Sequence, residues 1–310
     1  MTTAKLTDIL SIDDLARTVG TPADRILQYA ASSNQAAQYE QLYIPKRGRK
    51  RRGEYRVVYK VSETWLSQLH RSISMIVVNS ASFGNHVQGF IKRRSIRTNA
   101  LLHLRAEQLL HADITNFFDS ITTDQIRLGL VSIGAYPEVA DIIARACTID
   151  GFLRQGTRCS PALANVVCRK LDMEMLSLAD SCGATYSRYA DDITFSGEKT
   201  PVSEAVELVL NTNGFKLRDG LCFIQLKGRS QFVTGLSIAD EIQPRLPRRL
   251  KRRLRLILHF IEKFGIEEHF SHTATANHRT VATPYQLEGM LRFVHAIEPV
   301  LAKKLRQKMP

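Results

Sequence analysis

The sequence predicts an α+β fold in which short strands alternate with amphipathic helices. The composition is that of a globular protein, with 44% hydrophobic and 24% charged residues. Helical and strand periodicities both occur along the chain, and neither a repeat nor a low-complexity linker interrupts them. A length of 310 residues suits one large domain or about two to three packed subdomains. A disordered or collagen-like chain is therefore excluded.

The net charge is strongly positive, and no segment suits a membrane. Lys and Arg total 43 against 30 Asp and Glu, which gives a formal charge of +13 at pH 7. No apolar run approaches the roughly 18 to 20 residues that cross a bilayer. Met1–Leu10 contains Lys5 and Asp8, with no apolar stretch behind them. We expect a soluble cytoplasmic protein that binds no membrane.

The basic residues concentrate in two segments, which cover residues 45–56 and 245–255. The first contains Lys46, Arg47, Arg49, Lys50, Arg51, Arg52 and Arg56; the second contains Arg245, Arg248, Arg249, Lys251, Arg252, Arg253 and Arg255. Such clusters are typical of proteins that bind the nucleic-acid backbone. Solvated surface faces are the alternative interpretation.

Cysteine and histidine spacings do not indicate a disulfide framework or a zinc site. The five cysteines are odd in number, widely spread and never in a C-x-x-C pair. They are Cys147, Cys159, Cys168, Cys182 and Cys222. The closest histidines, His269, His272 and His278, have no cysteine or carboxylate at metal-ligand spacing, so we expect them in a polar loop.

The first third of the chain contains helix-capping signals and a β-rich segment. Ser11–Asp14 and Thr21–Asp24 resemble capping boxes, the second with Pro22 at the first helical position, so two short helices are expected. Residues 55–61 are β-rich and follow the basic turn 47–53, which suggests a hairpin. Residues 62–78 have apolar residues at helical spacing.

The central segment supplies a strand, a helix and a second hairpin. Residues 108–114 alternate so that His111 and Asp113 lie on one face and Leu110, Ala112 and Ile114 on the other. Residues 160–178 predict one helix, and residues 186–197 predict a hairpin that turns at Ala190-Asp191-Asp192. A helix over 201–211, strands around Phe215 and Phe232, and helices after Pro247 complete the prediction.

Two adjacent acids at this second hairpin tip indicate a cation site. Asp191 and Asp192 cannot both enter an apolar core, and like charges held together need a neutralising cation. Asp113, at the end of a separate strand, could complete a clamp for a pair of Mg2+ ions about 3.5 to 4 Å apart. An Asx-type turn with exposed acids is the alternative for the tetrapeptide alone.

Several blocks in order make the chain similar to reverse transcriptases. Residues 113–121 resemble the family's first catalytic block, residues 155–165 its substrate-binding block, and residues 189–192 its catalytic hairpin. Residues 95–103 and 233–236 resemble the N-A-x-x-H and V-T-G blocks of bacterial retron reverse transcriptases. The chain is thus identified as a member of the retron group, the resemblance running from about Ile44 to Leu236.

The resemblance implies a right-hand polymerase with an antiparallel palm sheet that bears the catalytic carboxylates. It places fingers and N-terminal helices at 1–105, the palm at 106–238 with a fingers contribution around 140–165, and a basic helical thumb at 239–310. It implies that Asp113, Asp191 and Asp192 are catalytic. These residues, with the Ile114 backbone carbonyl, would bind two Mg2+ ions, for which Mn2+ is an alternative.

Further residues match the family's substrate positions. The resemblance assigns the incoming deoxynucleotide to Arg56, Phe118, Gln155 and Gly156, with Phe118 as a steric gate against ribose. A core phenylalanine and a plain turn are the alternatives for Phe118 and for Gln155-Gly156. The positions expected to hold a catalytic lysine lack a base, so the general-acid role of Lys216 or Arg218 stays unassigned.

The resemblance, together with the basic character of the predicted helix after Pro247, suggests which residues contact RNA. The candidates are Asn99, His103, Val233, Thr234, Gly235, Arg248, Arg249, Arg252 and Arg253. Asn99 and His103 could brace the palm instead, or serve as a helix cap and a core histidine. On the predicted helix after Pro247, apolar side chains share one face and basic side chains the others.

The resemblance also implies the reaction and the partners. A cognate noncoding RNA would be template and primer, with a 2'-OH as the first primer, and an RNA-DNA molecule would be the product. Host ribonuclease H and a separate effector protein for phage defence would be partners, since nothing after Leu236 resembles a ribonuclease H domain or a fused endonuclease. Another bacterial reverse transcriptase, of group II intron, diversity-generating or abortive-infection type, and a non-catalytic RNA-binding relic are the alternatives.

Overall fold

The computed structural model describes residues 3–46, 53–273 and 283–307. Its helices are α1 (Ile12–Val19), α2 (Ala23–Ala30), α3 (Thr64–Ser80), α4 (Ile96–Leu101), α5 (Thr123–Ser132), α6 (Pro137–Cys147), α7 (Ser160–Val167), α8 (Arg169–Ser181), α9 (Ser203–Thr212), α10 (Arg248–Phe264), α11 (Ile266–Thr273), α12 (Pro284–Ile297) and α13 (Pro299–Arg306). Its strands are β1 (Tyr39–Pro45), β2 (Tyr55–Val61), β3 (Gln108–Asp113), β4 (Thr185–Tyr189), β5 (Asp192–Gly197), β6 (Phe223–Leu226), β7 (Phe232–Val233) and β8 (Leu236–Ser237). The predicted α+β class is confirmed.

The two N-terminal helices form as predicted, but only one has the predicted cap. Ser11 accepts a hydrogen bond from the Asp14 N–H, and the Asp14 carboxylate accepts one from the Ser11 N–H. The capping box expected at Thr21 is wrong, because α2 begins at Ala23 and Pro22 is its extended cap residue. Thr21 therefore lies one residue too early to reach the first-turn N–H groups.

Strands β1 and β2 form an antiparallel hairpin, in register from Tyr39 opposite Val61 to Pro45 opposite Tyr55. This confirms the β-rich segment before the long helix α3. The basic turn at Arg47, Arg49, Lys50, Arg51 and Arg52 lies outside the described residues.

The main sheet has four antiparallel strands in the order β4-β5-β3-β6. β4, β5 and the turn between them are called the acidic hairpin below. Leu110 and Ala112 on β3 belong to the larger hydrophobic core, which includes helices α1 to α3 and α5 to α9. Leu109 belongs to a second core built from α4, β7, β8 and the C-terminal helices. β3 therefore lies between the two cores.

Two predictions for the central region are wrong, and one strand was not predicted. The helix expected over 160–178 is divided at Cys168 into α7 and α8. The strand expected at Phe215 is a single bridge between Ile114 and Leu217, because Phe215 turns into the core against Phe117. The edge strand β6 was not predicted, whereas the strand at Phe232 is confirmed as β7.

The C-terminal helices pack around the predicted apolar face of α10. Leu254, Ile257, Leu258 and Ile261 are buried there. His269 lies in helix α11 and stacks on Phe260, so its predicted loop placement is wrong. The side chain of His272 and all of His278 lie outside the described residues. In the described part of the chain, no helix has the length and apolar character needed to cross a bilayer.

Candidate active site

The register of the main sheet brings the three predicted acids to one end. Asp113, the last residue of β3, pairs directly with Asp192, the first residue of β5. The Ile114 N–H donates a hydrogen bond to the Asp191 carbonyl at 3.1 Å. Residues directly opposite in antiparallel strands have Cα atoms about 4.5 to 5.5 Å apart. Residues almost eighty positions apart in the chain thus meet as one acidic group.

The turn of the acidic hairpin is tight and closely packed. Tyr189 pairs with Asp192, so Ala190 and Asp191 form a two-residue turn, and Ala190 has a left-handed φ of 60°. A Cβ added to Gly89 would lie 2.5 Å from the Ala190 backbone nitrogen. Glycine at this position therefore allows the loop before α4 to cover the turn.

A buried ion pair supports the acidic hairpin from below. Arg188 on β4 donates through Nε and Nη2 to the two carboxylate oxygens of Asp172 on α8, at 2.7 Å each. Arg188 also donates to the Asn165 Oδ1 and to the Ala190 carbonyl. Tyr186 donates its hydroxyl to Asp172 at 2.8 Å. The sequence analysis did not predict this network, which joins residues of α7, α8 and the acidic hairpin.

The electrostatics of the acidic group favour a cation. Partial exclusion of water, then repulsion from Asp191 and Asp113, raise the pKa of Asp192 to about 7, although Asp192 reaches solvent. The Arg218 guanidinium lies 2.8 Å from an Asp113 carboxylate oxygen. Hard oxygen donors that repel one another suit a divalent cation, so these residues fit one. Lys216 is exposed, and its carbonyl accepts a bond from the Thr115 N–H.

Asn99 and His103 join helix α4 and the turn after it to the acidic hairpin. His103 has Nδ1 2.7 Å from the Ser196 hydroxyl and Nε2 2.7 Å from the Ser187 hydroxyl, which donates to the Asn99 Oδ1. Burial, then the nearby His111, lower the pKa of His103 to about 3, so the ring is neutral. Both side chains are buried, and the structure therefore supports the bracing role over direct RNA contact.

Three of the four predicted nucleotide-contacting residues, Arg56, Gln155 and Gly156, lie on two segments that touch each other. The Tyr59 N–H on β2 donates to the Gln155 carbonyl at 2.7 Å. A Cβ added to Gly156 would lie 2.6 Å from the Tyr59 carbonyl oxygen, so the close approach at Gly156 is to a strand. Arg56 is exposed on the same strand.

Phe118 and Phe117 differ in their surroundings. Phe117 is buried and stacks on Phe215, which is the role of a core residue. Phe118 is only partly buried, in a 3-10 turn that begins five residues after Asp113, and its ring neighbours Phe90 at 6.1 Å. The core interpretation thus applies to Phe117, while Phe118 packs against the core with its side chain partly exposed.

The V-T-G block forms the turn between β7 and β8. Val233 is buried, and Thr234 and Gly235 both have positive φ, as a two-residue hairpin turn requires. The Thr234 hydroxyl donates to the Ile96 carbonyl on α4 at 3.1 Å. A cavity of about 350 Å3 separates this turn from Tyr189 and Asp192.

The basic residues of α10 remain on the surface. Four of them, Arg248, Arg249, Arg252 and Arg253, are exposed. Lys251 instead pairs with the buried Glu298 at 2.8 Å, which ties α10 to the start of α13. The exposed arginines therefore project away from the second core.

Residues 44–218 match the family model described as reverse transcriptase (RNA-dependent DNA polymerase). The chain belongs to this family. Membership confirms the expected enzyme class, RNA-directed DNA polymerase, and implies a right-hand polymerase fold and dependence on divalent metal.

Curated relatives confirm the resemblance to retron reverse transcriptases. The chain is 27% identical to the Retron Mx65 reverse transcriptase of Myxococcus xanthus, over 96% of this chain and 70% of the relative. It is 28% identical to the Retron Mx162 reverse transcriptase of the same organism, over 95% of this chain and 65% of the relative. For the Retron Ec86 reverse transcriptase of Escherichia coli the identity is 28%, over 70% of this chain and 67% of the relative. The chain thus spans about two thirds of these relatives.

Proposed function

We propose that this protein copies a structured noncoding RNA into single-stranded DNA, as the polymerase of a retron. The cross-strand pairing of Asp113 with Asp192, at a hairpin tip that also holds Asp191, carries this proposal. The retron relatives favour it over the group II intron, diversity-generating and abortive-infection types. The intact acidic group argues against a non-catalytic relic.

The acidic group would serve nucleotidyl transfer. Asp113, Asp191 and Asp192, with the Ile114 backbone carbonyl, would hold two Mg2+ ions, which Mn2+ could replace. The bound ions would neutralise charge on the triphosphate and on the primer oxygen. Strands β3 and β5 and the tight turn before β5 would hold the carboxylates in place, so that little reorganisation would accompany the reaction.

The transfer itself joins a primer hydroxyl to the α-phosphate of a deoxynucleotide. The primer oxygen forms the new ester bond, pyrophosphate leaves, and the hydroxyl proton passes to solvent. Arg218 would act on the charged leaving group as a fixed cation, because a guanidinium does not release a proton in neutral water. Lys216 is the remaining candidate for a proton donor.

Sugar selection would depend on Phe118. Its partly exposed ring, close in the chain to Asp113, would be suited to collide with a ribose 2'-OH. Gln155 and Gly156 would face the base and sugar, and Arg56 the triphosphate. The contact between Gly156 and Tyr59 would align the two segments that carry these groups.

The RNA would contact the arginines of α10 and the V-T-G turn. Arg248, Arg249, Arg252 and Arg253 offer exposed charge for phosphates. Val233 would support the turn from the core, and Thr234 and Gly235 would face the nucleic acid. A 2'-OH of the RNA would be the first primer, which gives a branched product.

We assign fingers to 1–105, palm to 106–238 with a contribution from 140–165, and thumb to 239–310. The C-terminal helices share one hydrophobic core, which also includes residues of α4, β3, β7 and β8 from the assigned fingers and palm. Template removal by host ribonuclease H, a cytoplasmic location and a separate effector for phage defence complete the proposal.

Loss of one carboxylate tests the metal assignment. With Mg2+, deoxynucleotides and a primed RNA, the purified protein should extend the primer, and Asp191→Asn should reduce extension at least a hundredfold. Asp219→Asn, an exposed acid one residue after Arg218, is the matched control and should retain activity. Thermal unfolding of both variants should match the parent protein. Equal activity of Asp191→Asn and the parent protein would refute the assignment.

Phe118→Ala tests the steric gate separately. Removing the ring should raise the incorporation of ribonucleotides relative to deoxynucleotides by roughly tenfold or more, because no ring would then collide with the ribose 2'-OH. A factor of ten corresponds to about 1.4 kcal/mol of discrimination. Single-nucleotide extension with the two sugars measures the ratio. An unchanged ratio, with extension intact, would remove Phe118 from sugar selection.

A further inference from the structure

A cluster of two cysteines and one histidine lies away from the acidic group. His70 on α3, Cys147 at the end of α6 and Cys159 just before α7 each offer one ligand atom, and these atoms lie within 4.8 Å of one another. All three residues are buried, with 0% exposure for His70 and Cys159. Their wide separation in the sequence explains why spacing gave no sign of them. The soft donor set is therefore a product of the fold.

The hydrogen bonding of His70 prepares its ring to accept a metal. Nε2 lies 3.0 Å from the Ala146 carbonyl, which can only accept, so Nε2 must carry the proton. Nδ1 then has a lone pair, and within the described part of the chain it makes no well-formed hydrogen bond although it is buried. Metal-binding histidines are commonly oriented in this way, by a bond from the second ring nitrogen to a carbonyl. The Tyr39 ring lies beside the His70 ring, with the two centroids 6.3 Å apart and the planes 18° apart.

Charge balance indicates which class of ion the cluster would accept. Two sulfurs and one nitrogen favour a thiophilic cation over Mg2+, which prefers oxygen. Two thiolates and a neutral imidazole have a charge of −2, which a divalent ion cancels, whereas a monovalent ion would leave net charge in an apolar core. The Thr157 hydroxyl, 3.4 Å from the Cys159 sulfur, is a nearby oxygen donor for a fourth position.

We propose that His70, Cys147 and Cys159 form a structural Zn2+ site. The hydrated ion would enter as the chain folds, two S–Zn bonds and one N–Zn bond would form, and the two thiol protons would pass to solvent. The site is distinct from the acidic group, and the inference does not depend on the proposed polymerase function.

The position of the cluster gives the ion a mechanical role. Cys159 ends the segment that carries Gln155 and Gly156 against β2. His70 belongs to α3, the helix that follows β2 along the chain. A bound ion would therefore join α3, α6 and this segment. Loss of the ion should loosen the segment without altering the carboxylates.

Metal analysis of the untagged full-length protein tests the proposal. Protein from cells grown with added Zn2+ should contain about one zinc per chain, as measured by inductively coupled plasma mass spectrometry. Cys147→Ser and Cys159→Ser should lose most of it. Cys168→Ser, which alters an equally buried cysteine outside the cluster, should retain it. Chelation should lower the melting temperature of the parent protein and of Cys168→Ser.

Replacement of the metal by cobalt in the parent protein gives a second readout that does not depend on whether the cysteine variants fold. Replacement of zinc by Co2+ should produce the near-ultraviolet absorption of thiolate bound to cobalt, in the parent protein and in Asp191→Asn alike. Protein that contains no stoichiometric zinc and gives no such absorption would overturn the proposal. An intact mass lower by two hydrogens, which indicates a Cys147–Cys159 disulfide, would overturn it as well. So would equal loss of zinc from Cys168→Ser and from the cluster variants.

Discussion

Replacing Asp172 by asparagine tests the buried ion pair that supports the acidic hairpin. The side chains of Arg188 and Asp172 are 0% and 2% exposed. Asparagine keeps the shape but leaves the buried guanidinium without its counter-charge and with one acceptor fewer. Removing one partner of a buried pair costs about 3 to 5 kcal/mol. Because proteins of this kind are stable by roughly 5 to 15 kcal/mol, the loss should be a large share of the total.

Urea unfolding measures this cost by linear extrapolation. The matched control is Asp141→Asn, whose pair with Arg145 lies at 2.9 Å on the surface, with side-chain exposures of 39% and 57%. An exposed pair of this spacing contributes only about 0.3 to 0.5 kcal/mol. Replacing both buried partners, by Asp172→Leu with Arg188→Met, should recover much of the stability, since no unpaired charge then remains.

Primer extension well below the melting temperature gives the functional consequence. Arg188 also donates to the Ala190 carbonyl in the turn, so a displaced guanidinium should slow extension as well as destabilise the fold. A cost for Asp172→Asn within about 0.5 kcal/mol of the Asp141→Asn control would contradict the reasoning, because it would mean that the buried pair acts like a surface pair.

Four further predictions concern the site and its surroundings. Because Asp192 must lose a proton to bind metal, apparent Mg2+ affinity should fall about tenfold per pH unit below pH 7, in calorimetric titrations, and Asp192→Asn should remove this dependence. In metal-free protein, the contribution of Asp192 to the unfolding free energy should fall as the pH rises from about 4 to about 7. The reason is that the pKa of Asp192 is higher in the folded protein than in the unfolded chain, which loses the proton first. Gly89→Ala should cost about 1 to 3 kcal/mol and displace the Ala190 turn, whereas Gly289→Ala in α12, where an added Cβ meets nothing, should be neutral or stabilising in urea unfolding. Arg252→Glu should weaken RNA binding in filter assays and flatten its salt dependence by about one phosphate contact, and an unaltered slope would contradict the RNA assignment of α10.

Local pattern was enough to predict the parts of the site that neighbouring residues determine. The alternation along 108–114 fixed the face of Asp113, and the turn tetrapeptide fixed the acidic hairpin. The pairing of the two strands was not predicted, and the sequence indicated only that Asp113 could share a cation with the acids of the hairpin. The apolar face of α10 was equally accessible, because a helical period of 3.6 residues is visible in a single segment.

Features that depend on distant partners could not be predicted. Arg188 on β4 pairs with Asp172 on α8. The cluster at His70 joins α3, α6 and the segment before α7. The break at Cys168 keeps a helical pattern on both sides, so periodicity alone predicts one continuous helix. β6 was missed because four residues are too few for a reliable strand signal, and only its partner β3 gives them an extended conformation.

The position of β3 between two hydrophobic cores affects how the protein unfolds. Leu109 belongs to the C-terminal core, while its neighbour Leu110 belongs to the larger one. Unfolding of either core would expose one face of β3, the strand that ends in Asp113. The regions around the two cores should therefore unfold as one cooperative unit, and the amide hydrogens of β3 should be among the slowest to exchange with deuterated solvent.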